Sequence, residues 1–506
     1  MKKIQVDNFW SGIVNDIRST LASGFWYSEN LEVGTSKSVK QVVNNQAENS
    51  CSYATANNIT KLVQVGTTIY GLGQDNATNK DTTIWTKTNS LSGAWAIATS
   101  GTISATTFNS DNPLFISVNG IIYFDGGNSK IAKYTIATNT MAATAINLAN
   151  AKGGTIWQGD VYFWVGQDIY KLNTSTDAIT LMKTVSTEQT IVEIVPFGNL
   201  LTIICTSLVT LSKMYVWDGI STTTWVDIVE IGAGTVAGGA ILEGSVIAII
   251  GTPNKRTLMI KSWNGGQFRN LFTYTGRYNQ AVTYNYVQVA SKLKTFTGYI
   301  YFMLTGTKPD GTYAGLYQYS IARFGRDEPE NPMTFSIYKT LDFTSARTID
   351  GATSKQDFTI IENIVGGADT AERSIAATVN SATDNSTFFL SSSSTYTGQA
   401  GVLETVLYNV NDSSRDKQFK LSVQYAPLLT AGQVVAKYRK DEETTWTTIF
   451  TETGDNSISH ESVNIESTGV ELPTFREIQF RFEMTGGAEL TGFKVIAEEL
   501  NGLLDN

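Results

Sequence analysis

Short alternating runs of apolar and polar residues, separated by glycine-bearing turns, follow one another along almost the whole chain. A glycine at a turn tip followed at once by an apolar run appears at Gly66 ("GTTIYGLG"), Gly120 ("GIIYFDG"), Gly159 ("GDVYFWVG"), Gly198 ("GNLLTIIC"), Gly244 ("GSVIAIIG") and Gly298 ("GYIYFML"), at intervals of 39 to 54 residues. That interval suits one four-stranded propeller blade.

The units fill out in a constant order. A first strand precedes each glycine, as in "KLVQV", "LFISVN", "IVEIVPF" and "TYNYVQVA". A third strand follows: "TIWTKTN", "IAKYTIATN", "IYKLNTST", "YVWDGIS", "IKSWNGG" and "LYQYSIAR". The fourth is "AWAIATS", "AATAINL", "AITLMKT", "TTWVDIVEI", "FRNLFTY" and "MTFSIYKTL". "AILEGSVIAIIG", the most apolar stretch, reads as two buried strands meeting at Glu243-Gly244. In two units the third strand ends in Trp followed by Asp218-Gly219 or Asn264-Gly265, pairs suited to a type I′ turn. These Trp-turns are expected to join the two outer strands of a blade, with Trp217 and Trp263 packed between neighbouring blades.

A seventh unit is legible between Ala346 and Ser392 ("ARTIDG", "FTIIENI", "SIAATVN", "TFFLSS"). After the small-residue stretch "SSSSTYTGQAG", seven longer, more charged alternating strands fill about 100 residues, the pattern of a β-sandwich. The predicted fold is therefore all-β: a β-propeller of about seven four-stranded blades followed by a C-terminal β-sandwich. The corresponding divisions are 1–50 as an N-terminal arm with entry strands, 51–400 as propeller and 401–506 as sandwich. The one helix signal is "VNDIRSTLASG" (Val14 to Gly24), one or two turns long.

Composition agrees with sheet. Hydrophobic residues are 42%, aromatic 11% and charged only 16%, with 43 glycines for turns. The net charge of −9 and the lack of Lys/Arg clusters argue against tight, sequence-reading nucleic-acid binding. No segment is long and apolar enough to span a membrane, and the two N-terminal lysines are not followed by the apolar region of a signal peptide. Cys51 and Cys205 read as two unpaired structural thiols.

Catalytic constellations are missing from the sequence. His460, the only histidine, reads as a solvated residue of the loop "NSISHES" and cannot make a zinc site alone. No G-x-S-x-G elbow and no phosphate-cradling loop occurs. Asp441, in "KYRKDEETTWTTI", resembles the Asp-box turn of sialidases without its flanking Ser and Gly, and reads as a hairpin turn. Asp125, Asp168 and Glu193 could face a central channel, but nothing pairs them as glycosidase carboxylates. "DNATNKD" (Asp75 to Asp81) and "NVNDSSRD" (Asn409 to Asp416) offer oxygen ligands without the spacing of a known calcium loop. No cofactor and no enzymatic activity are expected.

"NFWSGIVNDIRSTLASGFWYSENLEV" (Asn8 to Val33), "REIQFRFEMTGGAELTGFKVIAEEL" (Arg476 to Leu500) and "VVAKYRKDEETTWTTI" carry a resemblance to the hub or nozzle proteins of tailed bacteriophages, the propeller-bearing rings near the end of a short tail. The resemblance implies a virion tail component assembled in the host cytoplasm. It also implies a homo-oligomeric ring, typically of six copies, that contacts neighbouring tail, adaptor or fibre proteins around a conduit through which DNA passes without sequence-specific binding. Phe9, Trp10, Arg18, Phe25, Trp26 and Tyr27 are too aromatic a set for a free arm and become the candidate interface, against the propeller or a neighbouring subunit. The alternative from the residues themselves is a propeller lectin or adhesin that takes host glycan on aromatics at blade tips.

Overall fold

The computed structural model describes residues 2–9, 11–14, 18–19, 23–33, 37–42, 45–48, 59–74, 82–88, 95–101, 112–126, 130–252, 257–274, 293–307, 317–340, 355–361, 374–380, 385–390, 400–409, 417–441, 443–454, 460–464 and 476–499. The N-terminal segment supplies β1 (Lys2–Val6), β2 (Phe25–Glu29), β3 (Leu31–Val33), β4 (Val39–Gln41) and β5 (Asn45–Glu48). Three four-stranded antiparallel sheets follow. They comprise β6 (Lys61–Val65), β7 (Thr68–Gln74), β8 (Thr82–Thr88) and β9 (Ala96–Gly101); then β10 (Phe115–Val118), β11 (Ile121–Asp125), β12 (Ile131–Thr135) and β13 (Thr140–Ala143); then β14 (Lys152–Trp157), β15 (Asp160–Val165), β16 (Asp168–Asn173) and β17 (Ala178–Thr184). A six-stranded sheet is next, from β18 (Thr190–Phe197), β19 (Leu200–Trp217), β20 (Asp227–Leu242), β21 (Ser245–Gly251), β22 (Leu258–Trp263) and β23 (Arg269–Tyr274). Beyond it lie β24 (Lys294–Phe296), β25 (Tyr299–Thr307), β26 (Tyr317–Gly325) and β27 (Thr334–Thr340), then β28 (Lys355–Ile361), β29 (Ser374–Asn380) and β30 (Asn385–Leu390). The last seven strands are β31 (Gly401–Thr405), β32 (Lys417–Tyr425), β33 (Gln433–Lys440), β34 (Thr447–Thr453), β35 (His460–Asn464), β36 (Ile478–Thr485) and β37 (Glu489–Glu499).

Two strands of the six-stranded sheet each do double duty. β19 pairs with β18 through Leu200–Thr206 and with β20 through its later residues, and β20 changes partner from β19 to β21 near Gly234. The first strands of successive sheets touch in turn: β6 meets β10, β10 meets β14, β14 meets β18, β18 meets β20, β20 meets β24, β24 meets β28, and β28 returns to β6. Contacts that close on themselves in this way make the all-β assembly propeller-like. The middle strands are covered by a neighbouring sheet on either face, so β15 ("DVYFWV") and β21 ("SVIAIIG") are buried almost throughout. The outermost β17 ("AITLMKT") is exposed at most positions.

Each of the six landmark glycines stands in a tight turn between consecutive strands: the first two of the sheet for Gly66, Gly120, Gly159, Gly198 and Gly298, and β20 and β21 for Gly244. At Asn119-Gly120 and Glu243-Gly244 both residues have positive φ, which is why glycine is needed there. Trp217 packs edge-on against Tyr162 of the preceding sheet, ring centres 6.3 Å apart, and so fills the space between two sheets, whereas Trp263 lies 5.4 Å from Phe197 of β18, a strand of its own six-stranded sheet.

Several expectations change. The strand before Gly298 is Lys294–Phe296, whereas "TYNYVQVA" lies outside the described residues, as do Cys51, "DNATNKD" and most of "VNDIRSTLASG" and "SSSSTYTGQAG". "AATAINL" contributes only its start, since the strand is Thr140–Ala143. The only helical turn among the described residues is the 3-10 turn Ile136–Thr138. His460 opens a strand opposite Gln424 instead of sitting in a loop, because the alternation of "HESVN" matches an edge beside β32. Cys205 is buried and free. Among the described residues no helix is long and apolar enough to cross a membrane.

The N-terminal strands pair within the chain. β5 forms the fourth strand of the sheet of β28, β29 and β30, pairing antiparallel with β30. β1 and β4 pair with β37, and β3 with β4, in a sheet completed by β32 and β35. β2 lies between β27 and β31, joining the sheet of β24–β27 to β31, β36, β33 and β34. These last two sheets share one core, in which Phe482 of β36 and Phe493 of β37 approach to 5.2 Å. The same cluster continues into Phe302, Phe324 and Phe335 on β25, β26 and β27, at the other end of the sheet that holds β36.

Lys87 of β8 is only 2% exposed, and burial pushes its ammonium down to about 8. The folded chain holds this proton less tightly than the unfolded chain. The cost is therefore fully present below pH 8 and relieved as pH rises from about 8 towards 10.5. Lys87→Met is expected to raise Tm at pH 7 and to flatten the rise between pH 8 and 10; an equal Tm and an unchanged profile in differential scanning fluorimetry would contradict this.

Candidate protein interaction site

The structure disperses the residues singled out from the sequence. Phe9, Phe25, Trp26 and Tyr27 are 1%, 1%, 7% and 8% exposed and belong to the chain's own core, so they offer no surface to a second subunit. Phe9 lies 6.2 Å from Phe493, and Tyr27 donates to Glu29 Oε2 at 2.6 Å. Arg18 is half exposed and pairs with Glu477 of the closing segment. Trp10 lies outside the described residues. Asp125 and Glu193 are buried, and Asp168 accepts from the Thr184 hydroxyl at 2.6 Å. Asp441 Oδ1 accepts the backbone N–H groups of Arg476 and Glu477 at 3.0 and 3.1 Å, a structural tie in keeping with a turn. Among the described residues no group of three or more His, Cys, Asp or Glu side chains could hold a metal.

What the fold does present is apolar surface on ordered backbone. Within β19 the Oγ of Ser207 accepts the N–H groups of Val209 and Thr210 at 3.2 and 2.9 Å, a serine-closed turn. On either side of it Cys205 and Tyr215 share one buried cluster, and Ile204 and Met214 another, as expected of a strand that doubles back there. The tip carries Leu208 and Val209, 88% and 87% exposed, with Leu211 beside them at 38%. Its base is fixed from beneath. Gln189, 1% exposed, donates from Nε2 to Thr210 Oγ1 (3.2 Å) and to Leu211 O (2.9 Å). Ser212 Oγ accepts from Ser207 N–H at 3.1 Å and donates to Gly234 O at 2.8 Å. Two aliphatic side chains are thus held out in water by a rigid hairpin, an arrangement that costs solvation free energy unless something covers it.

A recess of about 320 Å³ opens elsewhere on the same pair of sheets, between the outer strand β17 and the segment joining β19 to β20. Leu181, Met182, Lys183, Thr222, Thr223 and Trp225 line it. Trp225 is set by Tyr215, 4.9 Å away, and by the Lys183 ammonium, 4.6 Å from its ring centre. Lys183 Nζ also donates to Thr224 O at 2.7 Å, and burial holds this ammonium below its ordinary range. The apolar surface continues onto Ile228, the cross-strand partner of Tyr215.

The Trp-turn "YVWDGIS" leads directly into Thr222, Thr223 and Trp225 of this recess. Asp218 Oδ1 accepts the N–H groups of Ile220 and Ser221, both at 2.9 Å, and these amides hold its carboxyl below the usual range. Trp217 Nε1 donates to Ser221 O at 2.7 Å; in the sister turn Trp263 Nε1 donates to Gly266 O at 3.0 Å. The repeated sequence therefore encodes a repeated indole-to-carbonyl clasp. It is not a type I′ turn: Asp218 and Asn264 lack positive φ, because the carboxylate and indole bonds stabilise a longer loop. Gly219 has φ +77° and its missing Cβ would lie 2.4 Å from the Trp157 ring. Gly219→Ala is expected to lower stability by about 1–3 kcal/mol through strain and overpacking, measured as a fall in Tm; an unchanged Tm would show that Trp157 yields freely.

The sequence concealed both elements. "LLTIICTSLVTLSKMYVW" has no glycine or proline to mark the turn, and the available signal was the Ser-x-x-Thr of Ser207 and Thr210 within an otherwise apolar run.

No family model and no curated protein matches the chain. Solved structures of similar outline include the computationally designed Ika8 protein, at 8% identity over 68% of this chain and 98% of that chain with TM-score 0.39. The N-terminal domain of Nup159 aligns at 8% identity over 55% of this chain and 73% of that chain, TM-score 0.35. Sqt1 of Saccharomyces cerevisiae aligns at 12% identity over 68% of this chain and 99% of that chain, TM-score 0.44.

Proposed function

We propose that this chain is a non-enzymatic structural protein that acts through protein–protein interfaces, a hub- or nozzle-type ring component of a bacteriophage tail. In this reading the repeated sheets are seven blades closed by β5, the last two sheets are a β-sandwich, and copies of the chain encircle a conduit for DNA in the virion. The observation that carries it is the rigid, exposed Leu208-Val209 tip, which has the character of an assembly contact and none of the polar convergence of a catalytic pocket. Two further features support it. The net charge of −9 disfavours adhesion of passing DNA. The stretches that resemble tail hubs, Asn8 to Val33 and Arg476 to Leu500, contribute β2, β3, β36 and β37 to the same two interlocked sheets. Quantitative mass spectrometry and antibody labelling of purified particles from the source test the assignment. The chain is expected at fixed stoichiometry at the tail end; its absence from all particles would refute the assignment.

A lectin is the second reading, favoured by an open groove of about 400 Å³ between the sheets of β6–β9 and β10–β13. Tyr70 and Tyr134, 5.9 Å apart, and the hydroxyls of Thr68 and Thr86 line it, with Asn139 accepting from Tyr134 at 2.9 Å. Saturable glycan binding lost in Tyr134→Ala would favour this reading over the first.

A further inference from the structure

We infer that Asn264, in the second Trp-turn, is a modification site at which the chain's own backbone converts the side-chain amide to a carboxylate, with water as the only co-reactant. The inference is independent of the assembly reading above.

The geometry of the turn is its ground. Asn264-Gly265 lies in the loop between β22 and β23, where residues 264–267 are exposed and bend without the hydrogen-bonded turn of a tight hairpin. Gly265 has φ +115°, and a Cβ built on it or on Gly266 would meet nothing within 4 Å, so no neighbour obstructs the approach of the Gly265 nitrogen to the Asn264 side chain. Asn264 makes no side-chain hydrogen bond among the described residues. The sister turn is closed by comparison: Asp218 is engaged by the N–H groups of Ile220 and Ser221, and Gly219 sits against Trp157.

The Gly265 nitrogen attacks Asn264 Cγ. The N–Cγ bond forms, the Cγ–Nδ2 bond breaks, and the peptide proton, passed through solvent, leaves on the ammonia. Water then opens the cyclic imide at either carbonyl. Opening at Cγ restores the main chain and leaves aspartate; opening at the main-chain carbonyl leaves isoaspartate, which lengthens the backbone by a methylene. The aspartate product matches the sister turn, where Asp218 already stands after the Trp, whereas isoaspartate lengthens the chain between Trp263 and Gly266, the two ends of the indole-to-carbonyl bond.

The fold also selects between Asn-Gly pairs. Asn119-Gly120 is equally exposed, but both residues have positive φ in a two-residue turn clamped by the pairing of Val118 with Ile121. Closing the imide requires the asparagine backbone to turn until the next nitrogen faces Cγ, which the paired strands prevent at Asn119. At Asn264 the last cross-strand pair, Ser262 with Arg269, stands well back from the reacting atoms. Asn501-Gly502 lies outside the described residues.

The test incubates the full-length chain in mildly alkaline buffer, folded and in denaturant, and follows the peptides that contain Asn119 and Asn264 by mass spectrometry. In the folded chain the Asn264 peptide is expected to gain the mass of a hydroxyl in place of an amino group, to separate into aspartate and isoaspartate isomers, and to convert faster as pH rises, while the Asn119 peptide stays unchanged. In denaturant the two are expected to convert at similar rates. Asn264→Gln, at an exposed site where the fold should persist by Tm, is expected to lose the folded-state signal. A folded chain in which Asn264 persists as long as Asn119 would overturn the inference, as would an aspartate product without isoaspartate.

Discussion

Removal of residues 2–48 is expected to abolish folding. The deletion takes β2 from between β27 and β31, β1 and β4 from the flank of β37, and β5 from the sheet of β28–β30. It also strips Phe9, Phe25, Trp26, Leu31, Val33 and Val39 from the core, all at most 7% exposed. Burial of one large apolar side chain contributes about 1.5–3 kcal/mol, and six together reach or exceed the 5–15 kcal/mol that holds a typical domain folded. The truncated chain should be insoluble, or soluble only as a species without a cooperative melt. A soluble truncated chain with a sharp transition near that of the full chain would show that these strands are an appendage.

Arg323→Ala carries the next largest effect. Arg323, on β26, is 1% exposed, and its guanidinium lies 4.4 Å from the Tyr299 ring centre and 5.2 Å from that of Tyr338. It donates to Val33 O and pairs with Glu32 at 3.6 Å, so one side chain ties the sheet of β24–β27 to β3. The surrounding tyrosines and Glu32 hold this cation charged in spite of burial. Truncation would leave Val33 O without its donor and open a cavity between the rings. A loss of about 3 kcal/mol is expected, read as a Tm several degrees lower. Arg323→Lys should recover only part of it, since an ammonium cannot stack flat on Tyr299 and reach Val33 as well. Full recovery by lysine would mean that charge alone matters there.

How far the chain can be read without its structure depends on how local the cause is. The landmark glycines were legible because a two-residue turn needs positive φ, and Gly120 and Gly244 answer that need within four residues of chain. "GSVIAIIG" and "AITLMKT" fell into place because burial on two faces and exposure at an edge leave different patterns. The N-terminus was opaque: the alternation of "KKIQV" marks a strand, but its partner is Phe493 to Ala497, and no local rule names a partner at that distance. For that reason Phe25 and Trp26 suggested an interface when they are core. The tip at Leu208 stayed hidden because a serine side chain makes its turn inside an unbroken apolar run, and Trp225 gained its role only when Lys183 and Tyr215 were brought beside it by the fold.

The most direct test of the structural reading is sedimentation velocity of the full-length chain over a hundredfold range of concentration. A single closed oligomer of defined copy number, stable on dilution, is the predicted result; a 55.1 kDa monomer at every concentration would contradict it.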